Sequence, residues 1–148
     1  MALYSKEHCM KQFEEFIGSS VKRQRQELPK AKSLVMQADQ RVKFIESIPK
    51  TIENANYIVE NVYDVIRELI EAKLAIDGFK SYSHEAAVAY LQVLGFSEFE
   101  VKFTNELRKI RHGIKYKGEN TSLEYAHQTL SFLDKIKPKL KALLKEVA

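Results

Sequence analysis

Arginine, histidine and tyrosine side chains are concentrated in one segment of this sequence, NELRKIRHGIKYKG. Arg108 and His112 are four residues apart, so a helix would place them on one face. Arg111 and Lys115 would form a second pair beside them. A guanidinium that binds phosphate and an imidazole that moves a proton near neutral pH are the minimum needed for phosphodiester chemistry. Tyr116 adds a phenol that could donate a hydrogen bond or stack on a base.

The same segment also fits a helix with a purely structural role. Leu107, Ile110 and Ile114 would form an apolar stripe on the core, and the charged residues would keep the other face in water. The spacing alone favours this second interpretation.

The elements that must position these residues are helices. Apolar residues recur at three- and four-residue steps along nearly the whole chain, and no segment shows the alternation of a strand, which predicts the all-α class. Short connections favour an antiparallel up-and-down bundle of four to five main helices. The expected helices are Ser5 to Ile17, Pro29 until Pro49, Thr51 to about Ile76, Ser83 to Leu94, Ser97 to about Tyr116, and Thr121 or Ser122 onward, with a kink or fresh start at Pro138.

Length and composition predict one domain over residues 1–148, because 45% of the residues are hydrophobic. Cys9 is the single cysteine and is assigned to the core, which fits a reducing compartment. No segment has the roughly 20 apolar residues that cross a bilayer and no signal peptide is recognised, so we expect a cytoplasmic protein without membrane contact. The net charge of +4 is concentrated in basic segments, which favours an anionic partner.

Other titratable residues are assigned structural roles. His84 follows a serine that is expected to cap a helix, which favours a structural role over a role in a cleft. His8 and His127 have no second ligand at metal-binding spacing, so we expect no metal site. The acidic residues of the third helix would form a solvated or partner-facing strip, and its tyrosines would join the core: Glu60, Asp64 and Glu68, with Tyr57 and Tyr63.

The helix around Arg111 resembles the signature of the HEPN family (higher eukaryotes and prokaryotes nucleotide-binding domains). In that family an arginine is followed about four to six residues later by a histidine, often as Arg-Asn-three residues-His. The preceding stretch is also similar, since a long apolar helix ends at Gly78 and Ser83-His84-Glu85 opens the next helix. The matches cover about residues 54–118. The resemblance is to small archaeal and bacterial members associated with nucleotidyltransferases, and it implies a HEPN-like bundle.

The motif fits this sequence in two registers, each with a departure from the family pattern. If His112 takes the place of the family histidine, Arg108 is one residue too close and Leu107 stands at the expected arginine position. If Arg111 takes the place of the arginine, Tyr116 stands where the histidine should be. The second register preserves the spacing and is preferred. An ordinary tyrosine, with a pKa of ~10, is a poor general base at neutral pH, so this register predicts a degenerate catalytic motif.

What the resemblance implies for function is a homodimer that binds RNA or a nucleotide, or an accessory to a separately encoded small nucleotidyltransferase. The residues implied to contact the nucleotide or its phosphate are Arg111, His112, Lys115 and Tyr116. The alternative within the family is a metal-independent endoribonuclease, the toxin of a toxin–antitoxin pair, with His112 and Arg108 as catalytic residues. A non-catalytic helical scaffold is the third hypothesis. No cofactor is expected under any of them, and whether the chain is an enzyme stays open.

Overall fold

The computed structural model describes residues 10–148, and it confirms the all-α class. Its main elements are β1 (Val21–Arg23), α1 (Leu28–Ser47), α2 (Ala55–Asp77), β2 (Phe79–Ser81), α3 (His84–Val93), α4 (Glu98–Lys117) and α5 (Leu123–Ala142). Short 3-10 turns lie at Phe13–Phe16, Ile52–Asn54 and Lys145–Val147. The five α-helices form a bundle, and no helix of residues 10–148 has the length and apolar character needed to cross a membrane.

Helix α2 is the centre of the bundle, as its apolar pattern predicts. It packs against all four other α-helices. Residues on most of its circumference are buried, including Ile58, Ile66 and Leu69. Because a helix that is apolar around most of its surface must be covered by neighbours, α2 sets the positions of the helices that carry the polar residues.

Helix α1 runs antiparallel to α2. Near the start of α1, the backbone amide of Glu27 donates to the carbonyl of Ala75, at 3.0 Å. Further along, the Arg41 side chain donates to the Asn61 side chain, at 3.2 Å. Later residues of α1 therefore meet earlier residues of α2.

Helix α4 is also antiparallel to α2. Arg111 pairs with Asp64 in the middle of α2, whereas the amide of Thr121, beyond the end of α4, donates to the Asn56 side chain near the start of α2. The up-and-down arrangement brings the second half of α4 against the polar strip of α2. It is this contact that positions the candidate site.

Serine hydroxyl groups begin three of the helices, as the sequence predicts. Ser83, Ser97 and Ser122 each accept a hydrogen bond from a backbone amide in the first turn of α3, α4 and α5. The backbone amide of Ser97 donates in turn to a carboxylate oxygen of Glu100, which completes a capping box. Lys139 binds the other oxygen of Glu100, at 2.8 Å, which ties the start of α4 to the end of α5.

One expected helix is wrong. Within the described part of the first expected helix, only the 3-10 turn Phe13–Phe16 forms, while Ser5, His8 and Cys9 lie outside the described residues. The last helix does not restart at Pro138, because α5 continues through that residue to Ala142, and a kink there stays a prediction. A proline inside a helix costs one backbone hydrogen bond, and here the packing of Ile136 and Leu140 in the core favours continuity.

The structure also contains a short antiparallel ribbon that the sequence did not predict. Strand β1 pairs with β2 so that Val21 faces Ser81 and Lys22 faces Lys80. Strands of three residues are too short to show an alternating pattern, and the pairing joins segments on either side of α1 and α2.

We expect Gly78→Ala to lower the free energy of unfolding by about 2–3 kcal/mol. Gly78 ends α2 at φ +85°, and an added Cβ would lie 2.9 Å from the carbonyl oxygen of Gln24. Gly118 ends α4 at φ +67°, and apart from its chain neighbours no residue from 10 to 148 has an atom within 4 Å of such a Cβ, so Gly118→Ala should cost only about 1 kcal/mol. Urea unfolding of both variants tests this, and equal losses would contradict a steric contribution at Gly78.

Candidate functional site

The side chain of Arg111 folds inward from α4 onto α2. It is 11% exposed, its Nη2 lies 3.3 Å from Asp64 Oδ1, and its guanidinium carbon lies 5.8 Å from the centre of the Tyr63 ring. The ion pair and the cation–π contact hold the guanidinium in one place. The Nε of Arg111 is buried and has no hydrogen-bond partner among the described residues.

Tyr63 also contacts His84, at the start of α3. The Tyr63 hydroxyl lies 3.3 Å from Nδ1 of His84, and the two rings stack with centroids 5.9 Å apart. Tyr63 is fully buried, whereas His84 is exposed. A buried phenol therefore connects the Arg111 guanidinium to an imidazole that solvent can reach.

Arg108 completes this group of side chains. Its Nε donates to the Asn105 side chain at 3.0 Å, and its guanidinium makes no ion pair with any residue from 10 to 148. Burial raises the pKa of the Tyr63 hydroxyl and the positive charge of Arg108 is among those that oppose this shift, whereas burial and the same charge both lower the pKa of His84. We call Tyr63, His84, Arg108 and Arg111 the cationic cluster.

The acidic strip of α2 is buried against this cluster, and the expectation that it is solvated or faces a partner is wrong for Asp64 and Glu68. They are 7% and 1% exposed. Arg41 binds Glu68 at 2.8 Å, and Arg67 binds Glu71 at 2.9 Å and lies 3.6 Å from Asp64. Burial raises the pKa of the Glu68 carboxyl, and the Arg41 charge opposes that shift.

One of the four guanidinium groups of this region has no carboxylate partner in the described part of the chain. Arg41, Arg67 and Arg111 pair with Asp64, Glu68 or Glu71, whereas Arg108 makes no ion pair with residues 10–148. Of the two rings in the cationic cluster, that of His84 is exposed and that of Tyr63 is buried.

Burial lowers the pKa of His84, and the positive charges of Arg67, Arg111 and Arg108 lower it further, while Asp64 opposes them. Because the unfolded chain has the ordinary pKa of ~6.5, protonation of His84 favours unfolding. Its contribution to stability is complete above about pH 6.5 and is lost as the pH falls through the folded pKa.

We therefore expect wild-type stability to fall between about pH 7.5 and pH 5.5, and we expect His84→Gln to reduce this fall. Urea unfolding across that range measures the effect. His127→Gln, at an exposed position of α5, is the matched control and should keep the wild-type slope. A slope unchanged in His84→Gln would contradict the assignment.

The sequence-predicted site residues are divided between two faces of α4. The structure brings Arg108 and Arg111 into the cationic cluster. His112, Lys115 and Tyr116 are exposed, and the rings of His112 and Tyr116 contact each other with centroids 4.9 Å apart. Because successive helical residues point about 100° apart, Arg111 and His112 cannot share a face.

Sequence reasoning missed Tyr63 and His84 as partners of the arginines. One signal was available in α4 itself, because Thr104, Leu107 and Arg111 follow helical spacing and lie on one face. Thr104 and Leu107 are fully buried. Because Arg111 lies on the same face of α4, its side chain also points toward the core. No local signal indicates Tyr63, since its neighbours come from α3 and α4.

A surface cavity lies elsewhere, between α3 and the first half of α4. Its volume is about 900 Å³, and Met10, Phe96, Phe99 and Phe103 are among the residues that line it. No member of the cationic cluster lines this cavity. Among residues 10–148, no group of three histidine, cysteine, aspartate or glutamate side chains could hold a metal ion.

Comparisons of this chain with protein-family models, with curated proteins and with solved structures find no match.

Proposed function

We propose that this protein binds RNA or a nucleotide through its phosphate groups at the cationic cluster, as a HEPN-like binding or nucleotidyltransferase-accessory protein. The observation that carries the proposal is the guanidinium of Arg108, which has no carboxylate partner among residues 10–148 and lies one helical turn from the fixed guanidinium of Arg111. A phosphate would supply the missing negative charge. Arginine suits this role because its planar fork matches two phosphate oxygens.

The surroundings of the cluster support binding without large rearrangement. Asp64 and the Tyr63 ring already hold Arg111 in place, so little side-chain freedom is lost when an anion arrives. His84, at the exposed edge, can add a hydrogen bond or, when protonated, a second positive charge. A duplicated site formed by a homodimer, as the family resemblance implies, is part of the proposal, and light scattering tests it.

Replacing one positive charge tests the site directly. We expect Arg108→Gln to weaken binding of a fluorescently labelled RNA about tenfold and to reduce the salt dependence of log K by about one unit. Because Arg108 makes no ion pair with residues 10–148, its replacement should leave the fold intact. Lys135→Gln removes an exposed charge from α5 and serves as the matched control. If the two variants lost RNA affinity equally, the cationic cluster would not be the binding site.

A metal-independent endoribonuclease is the second candidate, and one observation favours it. The imidazole of His84 is exposed and its Nδ1 lies 3.3 Å from the Tyr63 hydroxyl, while burial and the neighbouring arginines lower its pKa, which favours the neutral form that can accept a proton. Cleavage of labelled RNA in the presence of a chelator tests this function. Loss of cleavage in His84→Ala would support a base in the cationic cluster, and loss only in His112→Ala would support the motif-helix histidine. No cleavage by the wild type would reject both.

A further inference from the structure

The β1–β2 ribbon presents positive charges around an exposed aromatic ring. Tyr82, directly after β2, is 62% exposed. The Nζ atoms of Lys22 and Lys80 lie 5.8 and 5.2 Å from the centre of its ring. We call Lys22, Lys80 and Tyr82 the ribbon surface.

Nothing in the described part of the chain neutralises these charges. Lys22 and Lys80 make no ion pair with any residue from 10 to 148, and neither do the neighbouring Arg23 and Arg25. Lys22 and Lys80 also stand directly opposite each other in the ladder. Like charges at directly opposed positions destabilise a strand pair, so an anion bound between them would relieve that repulsion.

The ribbon surface and the cationic cluster meet in the sequence, where only one residue lies between Tyr82 and His84. Ser83 is extended, at φ −134° and ψ 129°, and it separates Tyr82 from His84. An extended residue places the side chains on either side of it on the same side of the chain. Two residues span at most ~7 Å, so Tyr82 and His84 are near each other along the chain. The hydroxyl of Ser81 donates to the carbonyl of Ser83 at 2.7 Å, which fixes the path between the two surfaces.

We propose that the ribbon surface is a second contact for single-stranded RNA, with a base stacked on Tyr82 and the adjoining phosphates bound by Lys22 and Lys80. The next phosphate along the strand would then reach the cationic cluster. This inference rests on the proposed function, and it specifies that the ligand is a strand and not a free nucleotide.

The chemistry of the surface favours an unpaired strand over a duplex. Every base has a face that can stack on an aromatic ring, and such stacking contributes about 1–3 kcal/mol per base. In a duplex those faces are covered by neighbouring base pairs, so Tyr82 would gain no contact.

Tyr82→Ala tests the stacking contact. With a labelled eight-nucleotide oligoadenylate RNA and fluorescence anisotropy, we expect affinity to fall roughly ten- to hundredfold. Tyr82→Phe keeps the ring and should stay within about twofold of the wild type. The double variant Lys22→Gln/Lys80→Gln should lower the salt slope of log K by about 1.4. Calorimetry with 5′-AMP should give the same affinity for all of these proteins and the wild type, because one nucleotide fills only the cationic cluster.

Several results would overturn the ribbon surface as a binding site. Unchanged RNA affinity in Tyr82→Ala would do so, and so would wild-type binding of a duplex as tight as that of the single strand. Binding of 5′-AMP without binding of the oligonucleotide would remove the ribbon surface and leave the proposed function intact. Loss of RNA affinity in Tyr82→Ala together with no loss in Arg108→Gln would support the ribbon surface and reject the cationic cluster.

Discussion

Asp64→Ala should lower the free energy of unfolding by about 3–5 kcal/mol. The carboxylate of Asp64 is 3.3 Å from the Arg111 guanidinium, 3.6 Å from that of Arg67 and 3.8 Å from that of Arg41. Removing it leaves these positive charges close together in a partly dehydrated contact without their shared partner. Removing one partner of a buried ion pair lowers the free energy of unfolding by more than the pair contributes, because the remaining charge stays desolvated.

Glu60→Ala is the matched control for this prediction. Glu60 lies one turn before Asp64 on the same helix, is only half-buried and makes no ion pair with any residue that the structure describes. We expect its replacement to change stability by no more than about 0.5 kcal/mol. Urea unfolding measures both variants. The double variant Asp64→Ala/Arg111→Ala should be more stable than the sum of the single losses predicts, and strict additivity would contradict the pairing.

Leu107→Ala should cost about 2–5 kcal/mol. Leu107 is fully buried, and it lies on the same face of α4 as Arg111, one turn earlier. The buried apolar residues of α4 are few, so the helix depends strongly on this one side chain for its attachment to the core. The cavity left by the lost methyl groups adds to the loss of buried apolar surface.

Leu28→Ala makes the same chemical change at an exposed position at the start of α1, and it should cost less than about 1 kcal/mol. Thermal and urea unfolding give the two values. If Leu107→Ala cost no more than Leu28→Ala, α4 would be held on the bundle by its polar contacts and not by its apolar face.

Local patterns were sufficient to predict most of the helical fold. The serines at positions 83, 97 and 122 each cap a helix, and the glycines at 78 and 118 each end one. Capping and termination are decided by a few residues next to the helix end, so they can be read without knowledge of the partner helices. The continuous apolar rows of α2 likewise identified it as the central helix.

Burial of charged residues could not be predicted in the same way. Asp64 and Glu68 form a polar strip that looks solvated in α2 alone. They are buried because Arg41 reaches them from α1 and Arg111 from α4, and those partners are distant in sequence. The ion pairs thus depend on how α1, α2 and α4 pack together. The residue pattern of one helix gives no information about that packing.

The functional role of Arg108 and Arg111 stays a prediction. In the structure, Arg111 pairs with Asp64 and lies over the Tyr63 ring of α2, and Tyr63 in turn contacts His84. Arg108 donates to Asn105 of its own helix. His112 and Tyr116 were grouped with Arg111 because the motif spacing joins them in sequence. The rotation of the helix between positions 111 and 112 separates them in space.

The ribbon has a further consequence for the order in which the chain assembles. The side chain of Gln24 reaches the carbonyl of Phe79 across a separation of 55 residues, so pairing β1 with β2 closes a loop that contains both α1 and α2. Closing such a loop in a free chain costs roughly 3–4 kcal/mol of entropy, and the antiparallel docking of the two helices removes most of that cost. During folding, we therefore expect the backbone amides of β1 and β2 to become protected from hydrogen exchange later than those of α2. During unfolding, they should lose that protection before α2 does. A strand of RNA bound across Lys22 and Lys80 would bridge the two ends of this loop and slow its opening.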